Sequence, residues 1–360
     1  MNRILIKFLQ SIAVVTLFAL ASSVSAIAQT ETNEASVVIK GGGSQPVANL
    51  YSNWSEKYQQ KNAGVQISYK ISNVVKGIED LEANRIDYAG SEIPLKMEEL
   101  QRRGLFQFPT ALISFTPVAN IPGVHTGQLA LDGDALAGIF LGKITRWNDP
   151  KLVELNPRLH LPDEAINTIH RNTGNTITYA LSSYLTKVSP EWAAKVGTGS
   201  TLNWPVGQEI GKGTNEEMVE YIKNTPYSVG FTMLSLVLKN HLNLVKMKNK
   251  NGVFVSATPE GVMSASTNAK WNVEDGFYNV LTDQPGPDTW PFVMTGYVTV
   301  KRQAAYPKST DVLIKFFEKL LKWGQVEVVS ADLIPLPDAV SSFIRQELTP
   351  QNMGGLVANK

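Results

Sequence analysis

Ser36-Val-Val-Ile-Lys40, followed by Gly41-Gly42-Gly43 and the run from Ser44 to Tyr58, is the stretch that decides the fold. Its β-branched side chains predict a strand, and the three glycines stop it. From Ser44 or Gln45 onward, Val47, Leu50, Tyr51, Trp54 and Tyr58 recur at three- and four-residue spacings, as one apolar helix face requires. Strand, glycine turn, helix is the resulting order. It returns immediately: Gly64-Val-Gln-Ile-Ser-Tyr69 alternates apolar and polar residues, Asn73 opens an amphipathic segment through Leu81 and Ala83, and Ile86-Asp-Tyr-Ala-Gly-Ser91 reads as a third strand. Alternating units of this kind predict a parallel or mixed sheet flanked by helices. In such sheets ligands gather at the carboxyl ends of the strands, where turns expose backbone N–H groups and helix N-termini.

The rest of the chain keeps the same grammar. Phe115 to Asn120, Ala165 to His170, Ser228 to Thr232 and Gly296 to Val300 read as strands. A helix ending at Phe140 is capped by Asp132 or Asp134, and others are expected through Tyr179 to Leu185, Glu216 to Asn224 and Ser309 to Trp323.

The chain has 360 residues, 43% hydrophobic and 18% charged, which is too long for one ordinary core and too apolar for a disordered chain. Two domains are expected. With 33 Lys plus Arg against 32 Asp plus Glu, the formal charge of +1 provides no field for nucleic acid. The absence of cysteine excludes disulfides, thiolate metal sites, a cysteine nucleophile and a lipid-modified N-terminal cysteine. His125, His160, His170 and His241 are too scattered to suggest a metal site.

Arg3 and Lys7, then the apolar run from Phe8 to Val24, then Ser25-Ala26-Ile27-Ala28 form a secretory signal peptide over residues 1–28, with cleavage after Ala26 or Ala28. An uncleaved anchor is the alternative, at about the lower length limit for a span. Cleavage leaves a near-neutral exported chain of about 332 residues, expected in the periplasm.

Enzyme signatures are missing: no Gly-x-Ser-x-Gly elbow, no His-Glu-x-x-His, and no Walker spacing around Gly211-Lys-Gly-Thr214. No catalytic residue and no cofactor is expected.

Several ordered motifs carry a family resemblance. Gly104-Leu-Phe-Gln-Phe-Pro-Thr110, Asn120-Ile-Pro-Gly123, Phe140-Leu-Gly-Lys-Ile-Thr-Arg-Trp-Asn-Asp149, Gly197-Thr-Gly-Ser-Thr-Leu-Asn-Trp-Pro-Val-Gly207 and Thr289-Trp-Pro-Phe292 resemble the periplasmic phosphate-binding protein of the high-affinity phosphate ABC importer. The similarity runs from about Lys40 to Pro337. It implies a two-lobed α/β periplasmic-binding-protein fold (type II) with a hinge, lobe one holding 36–111 plus 293–360 and lobe two 112–292. It also implies a small-molecule solute and an ABC permease as partners, with the binding protein itself monomeric.

The same resemblance locates a ligand site that has diverged. The family uses a Thr-Phe pair after the first glycine turn, a Ser-Ser-Gly-Gly helix start, an Asp after the third strand and an Arg-x-Asp-x-Ser-Gly-Thr loop. Here those places read Gln45-Pro46 after Ser44, Val74-Val75-Lys76-Gly77 after Asn73, Glu92, and Arg171-Asn-Thr173-Gly-Asn175-Thr176-Ile177. Only Arg171 is unchanged, and Glu92 keeps the acidic sign. Val74, Ile177 and Pro46 remove donors, and each neutral donor left unmade costs a buried oxyanion about 1–3 kcal/mol. Gln45, Asn73, Asn175 and Thr176 can donate in their stead. Valines and an isoleucine facing a cleft suit a solute with an apolar part beside an anionic group. A two-lobed interaction or sensory protein that has lost phosphate binding is the rival reading. Glu92 could equally cap the helix containing Met97 to Leu100, and Trp147, Trp192, Trp204 and Trp290 read as packing rather than a stacking platform.

Overall fold

The computed structural model describes residues 37–171, 174–210, 214–302 and 307–353. The signal-peptide segment and Thr173 lie outside them.

In chain order the first elements are β1 (Val37–Gly43), α1 (Ala48–Gln60), β2 (Val65–Ile71), α2 (Val74–Glu82), β3 (Tyr88–Ser91) and α3 (Met97–Arg103). The long strand β4 (Leu105–Asn120) leads to β5 (Ala130–Leu131), α4 (Gly133–Phe140) and α5 (Pro150–Leu155). Next come β6 (Asn167–Arg171), α6 (Thr176–Val188), α7 (Pro190–Lys195), β7 (Gln208–Ile210), α8 (Asn215–Asn224), β8 (Ser228–Met233) and α9 (Leu234–Lys239). The described chain closes with β9 (Lys246–Lys248), β10 (Phe254–Val255), α10 (Pro259–Thr267), β11 (Val293–Lys301), α11 (Pro307–Trp323), α12 (Gln325–Ser330), α13 (Asp338–Glu347) and α14 (Pro350–Met353).

The main sheet is mixed and eight-stranded, in the order β2-β1-β3-β11-β4-β8-β6-β7; β10-β9-β5 form a second, small sheet. Strand β4 joins the two halves. Residues Leu105 to Ser114 pair with β11, and from Phe115 to Asn120 the partner is β8. All but the last of its residues are buried, as expected of a strand covered on both faces. The sequence shows only its second part as a strand because Pro109 breaks the pattern. Pro109 lies at a register shift: Gly296 pairs with Ala111 and Tyr297 with Pro109, which leaves Thr110 as the extra residue of a bulge. Thr110 Oγ1 donates to Gly296 O at 3.0 Å.

Local chemistry places the helices. On α1, Leu50, Tyr51, Trp54 and Tyr58 are buried, and Trp54 Nε1 donates to Phe316 O, which brings α11 back to the β1 half of the sheet. Asp132, rather than Asp134, caps α4 by accepting from Ala135 N. Thr214 and Glu217 form a reciprocal capping box at α8. Trp147, Trp192 and Trp290 are fully buried, and half-buried Trp204 stacks on His170 at 4.5 Å, so all four pack. Among the described residues no helix is long and apolar enough to cross a membrane.

Candidate functional site

Gly41, Gly42 and Gly43 do not stop the first strand but form its last three residues, paired on one side with β2 and on the other with β3, and they act through close approach. A Cβ on Gly41 would lie 2.2 Å from the Tyr88 ring. Gly43 has φ +128°, and a Cβ there would stand 2.3 Å from Gly90 O. Without side chains at these points, β1 and β3 bring their carboxyl ends together, and Ser44 N donates to Gly90 O at 3.0 Å. Tyr69 OH donates to Ser44 O at 2.9 Å from the neighbouring strand. Tyr51, Tyr69 and Tyr88 pack ring against ring behind this junction. Tyr51 OH shares a 2.9 Å hydrogen bond with Thr110 Oγ1.

The geometry then converges on Glu92. Its side chain is fully buried. Ser44 Oγ donates to Glu92 Oε2 at 2.5 Å, and Thr176 Oγ1 donates to the same oxygen at 2.8 Å. Ser44 and Glu92 follow β1 and β3, whereas Thr176 opens α6 after β6, on the far side of β4. The other carboxyl oxygen, Oε1, is buried without a hydrogen-bond partner among the described residues. Burial pushes the Glu92 carboxyl up to about 7, against the opposing pull of the Ser44 and Thr176 hydroxyls and its own backbone. Glu92 does not cap the following helix: α3 begins after Lys96 with no side-chain cap.

The remaining candidates fall into distinct places. Asn73 is exposed and caps α2 by accepting from Lys76 N; Asn175, half-buried, caps α6 by accepting from Thr178 N. Gln45 is exposed and Val74 half-buried. Ile177 is 6% exposed and lies in the main apolar core. Arg171, half-buried at the end of β6, donates from Nη1 to Asn215 Oδ1 at 2.6 Å at the start of α8. Its guanidinium is held below the usual arginine range by burial, with Glu216 and Glu217 acting the other way.

Tyr69 and Asn215 are site neighbours that residue types did not single out. Tyr69 shares a strand face with buried Ile67, a weak signal; Asn215 carried none, because its role depends on α8 meeting the end of β6. Beside the junction, Ile71 is paired in register with Gly43 and is 54% exposed, and Val75 in the first turn of α2 is 67% exposed. The arrangement offers helix starts, hydroxyls, one arginine and a buried carboxyl group, next to an apolar rim.

A model of the PBP superfamily domain matches residues 29–323. The chain is 35% identical over 316 residues to the phosphate-binding protein PstS of Pasteurella multocida, covering 88% of this chain and 91% of that protein. It is 31% identical over 340 residues to PstS of Methanocaldococcus jannaschii, covering 88% and 87%. Among solved structures, a phosphate-binding protein from Stenotrophomonas maltophilia has a TM-score of 0.66 at 15% identity, covering 89% of this chain and 96% of that one. An ABC-type phosphate transport receptor from Vibrio cholerae has a TM-score of 0.58 at 17% identity, covering 83% and 100%. These structures share the two-lobed α/β fold, and the extent of the sequence matches settles the family: the chain belongs to the PstS phosphate-binding family of the PBP superfamily.

Proposed function

We propose that this chain is an exported, non-enzymatic, monomeric solute-binding protein that carries a small anion with an apolar part to an ABC permease. The leader over residues 1–28 is cleaved and the mature protein works in the periplasm without a cofactor. One lobe comprises 36–111 plus 293–360 and the other 112–292; the change of β4 partner between Ser114 and Phe115 supports that division. Membership of the PstS family supports the transport role.

The observation that carries the ligand class is the rim at the start of α2. Ile71, at the end of β2 in register with Gly43, and Val75, on the first turn of α2, both stand exposed, next to a helix N-terminus that favours an anion. A phosphoryl or similar head group would lie toward Ser44, Arg171 and Thr176, with its apolar substituent against Ile71, Val74 and Val75. Titration calorimetry of the mature chain with phosphate, methylphosphonate and butylphosphonate tests this. Affinity is expected to rise with alkyl length, by roughly fourfold per buried methylene. Submicromolar phosphate binding with weaker alkylphosphonates overturns the altered ligand. Binding of none of the three favours a two-lobed interaction or sensory protein.

A further inference from the structure

We infer that Glu92 is a built-in occupant of the cleft: its carboxyl group takes the hydroxyl donors of Ser44 and Thr176, holds the two lobes together without solute, and has to be displaced when an anion enters. The inference rests on reading the cleft as an anion site.

Three observations carry it. Both hydroxyls, one from each side of β4, converge on the same oxygen of one fully buried side chain. A hydroxyl has a single proton, so Ser44 and Thr176 cannot donate to Glu92 and to a bound solute together. A carboxyl group also presents acceptor oxygens much as one edge of an oxyanion does, so it satisfies these donors where solute would. Second, Oε1 is buried and unpartnered among the described residues, which keeps the contact shallow enough to be exchanged. Third, the neighbours that act on the carboxyl are the two hydroxyls and its own backbone, and the titratable groups it acts on in turn are the neutral phenols of Tyr51 and Tyr69. Among the described residues the Glu92 carboxyl group forms no ion pair, so an entering anion meets its charge directly whenever it is ionised. Charge removal at this position therefore favours anions.

Two measurements test the inference. Small-angle X-ray scattering on solute-free protein compares the wild type with Thr176→Val, which keeps the side-chain shape but has no donor, and with Thr176→Ser, which keeps the hydroxyl. The valine variant is expected to have the larger radius of gyration, and the serine variant to match the wild type. Identical scattering of all three overturns the latch, and thermal unfolding of each variant controls for folding. In parallel, calorimetry with sulfate at about pH 8.5, where the Glu92 carboxyl is ionised and the charge of sulfate is unchanged, compares the wild type with Glu92→Gln. The glutamine variant is expected to bind sulfate about tenfold tighter or more. Equal or weaker binding overturns displacement. Should Thr176→Val open the cleft while neither protein binds sulfate or phosphate, the latch stands and the anion reading fails.

Discussion

Thr176 Oγ1 donates to Glu92 Oε2 at 2.8 Å across 84 residues of sequence, joining the first turn of α6 to the segment that follows β3. That single hydrogen bond spans the two halves of the sheet. It brings helix starts from opposite sides of β4 to one buried carboxyl group.

The Glu92 carboxyl makes stability depend on pH. Its value in the native state, about 7, lies above the 4.5 of an ordinary glutamate, so the native state binds the proton more tightly. The contribution is fully present below about 4.5 and is lost as pH rises through about 7, on the order of 3 kcal/mol in all. Urea unfolding across this range should show the wild type losing stability relative to Glu92→Gln as pH rises. Parallel curves for the two proteins would refute the assignment. The comparison is needed because other carboxylates shift as well, Asp87 upward and Asp80 downward.

Gly43→Ala should be strongly destabilising. Its φ of +128° is one that side-chain-bearing residues rarely adopt, and the new Cβ would meet a backbone carbonyl at 2.3 Å. A loss of about 3 kcal/mol or more is expected in chemical denaturation. Gly64→Ala, at φ +82° with nothing within 4 Å of its Cβ, should cost less, which separates collision from backbone strain alone.

Arg171→Ala is expected to abolish anion binding in calorimetry, a loss of about a hundredfold or more for a charge-assisted contact. Asn215→Ala removes the acceptor that holds Nη1 and should weaken binding by a smaller factor. Unchanged affinity in Arg171→Ala would remove this loop as the anchor.

Val75→Ser tests the apolar rim. The side chain is 67% exposed, so stability should change by no more than about 0.5 kcal/mol. The preference for butylphosphonate over phosphate should shrink. A preference equal to that of the wild type would place the apolar part of the ligand elsewhere.

The local order of the chain was legible because its signals are local. β-Branched runs and three- to four-residue apolar spacing predicted β1, α1, β2 and α2, and Asp132 was one of two residues expected to cap α4; the end of β1 was not legible, because its three glycines look like a stop until β2 and β3 pair with them. The length of β4 was not legible, since Pro109 looks like a breaker until its partner strand shows that it lies at a bulge. Glu92 was ambiguous for a related reason. An acidic residue a few positions before a helix is a plausible cap, and only the approach of Ser44 and Thr176 shows that its oxygen is used elsewhere.

By itself, then, the sequence determined the alternating α/β character, the order of the elements and the family, because periodicity, turn chemistry and motifs are written within short windows. Tertiary structure decided which side chains meet. It directed Ile177 into the core, left Ile71 and Val75 at the surface and closed Thr176 onto Glu92. Contacts between residues 84 apart depend on how two halves of a sheet close around a shared strand, and no local pattern encodes that closure.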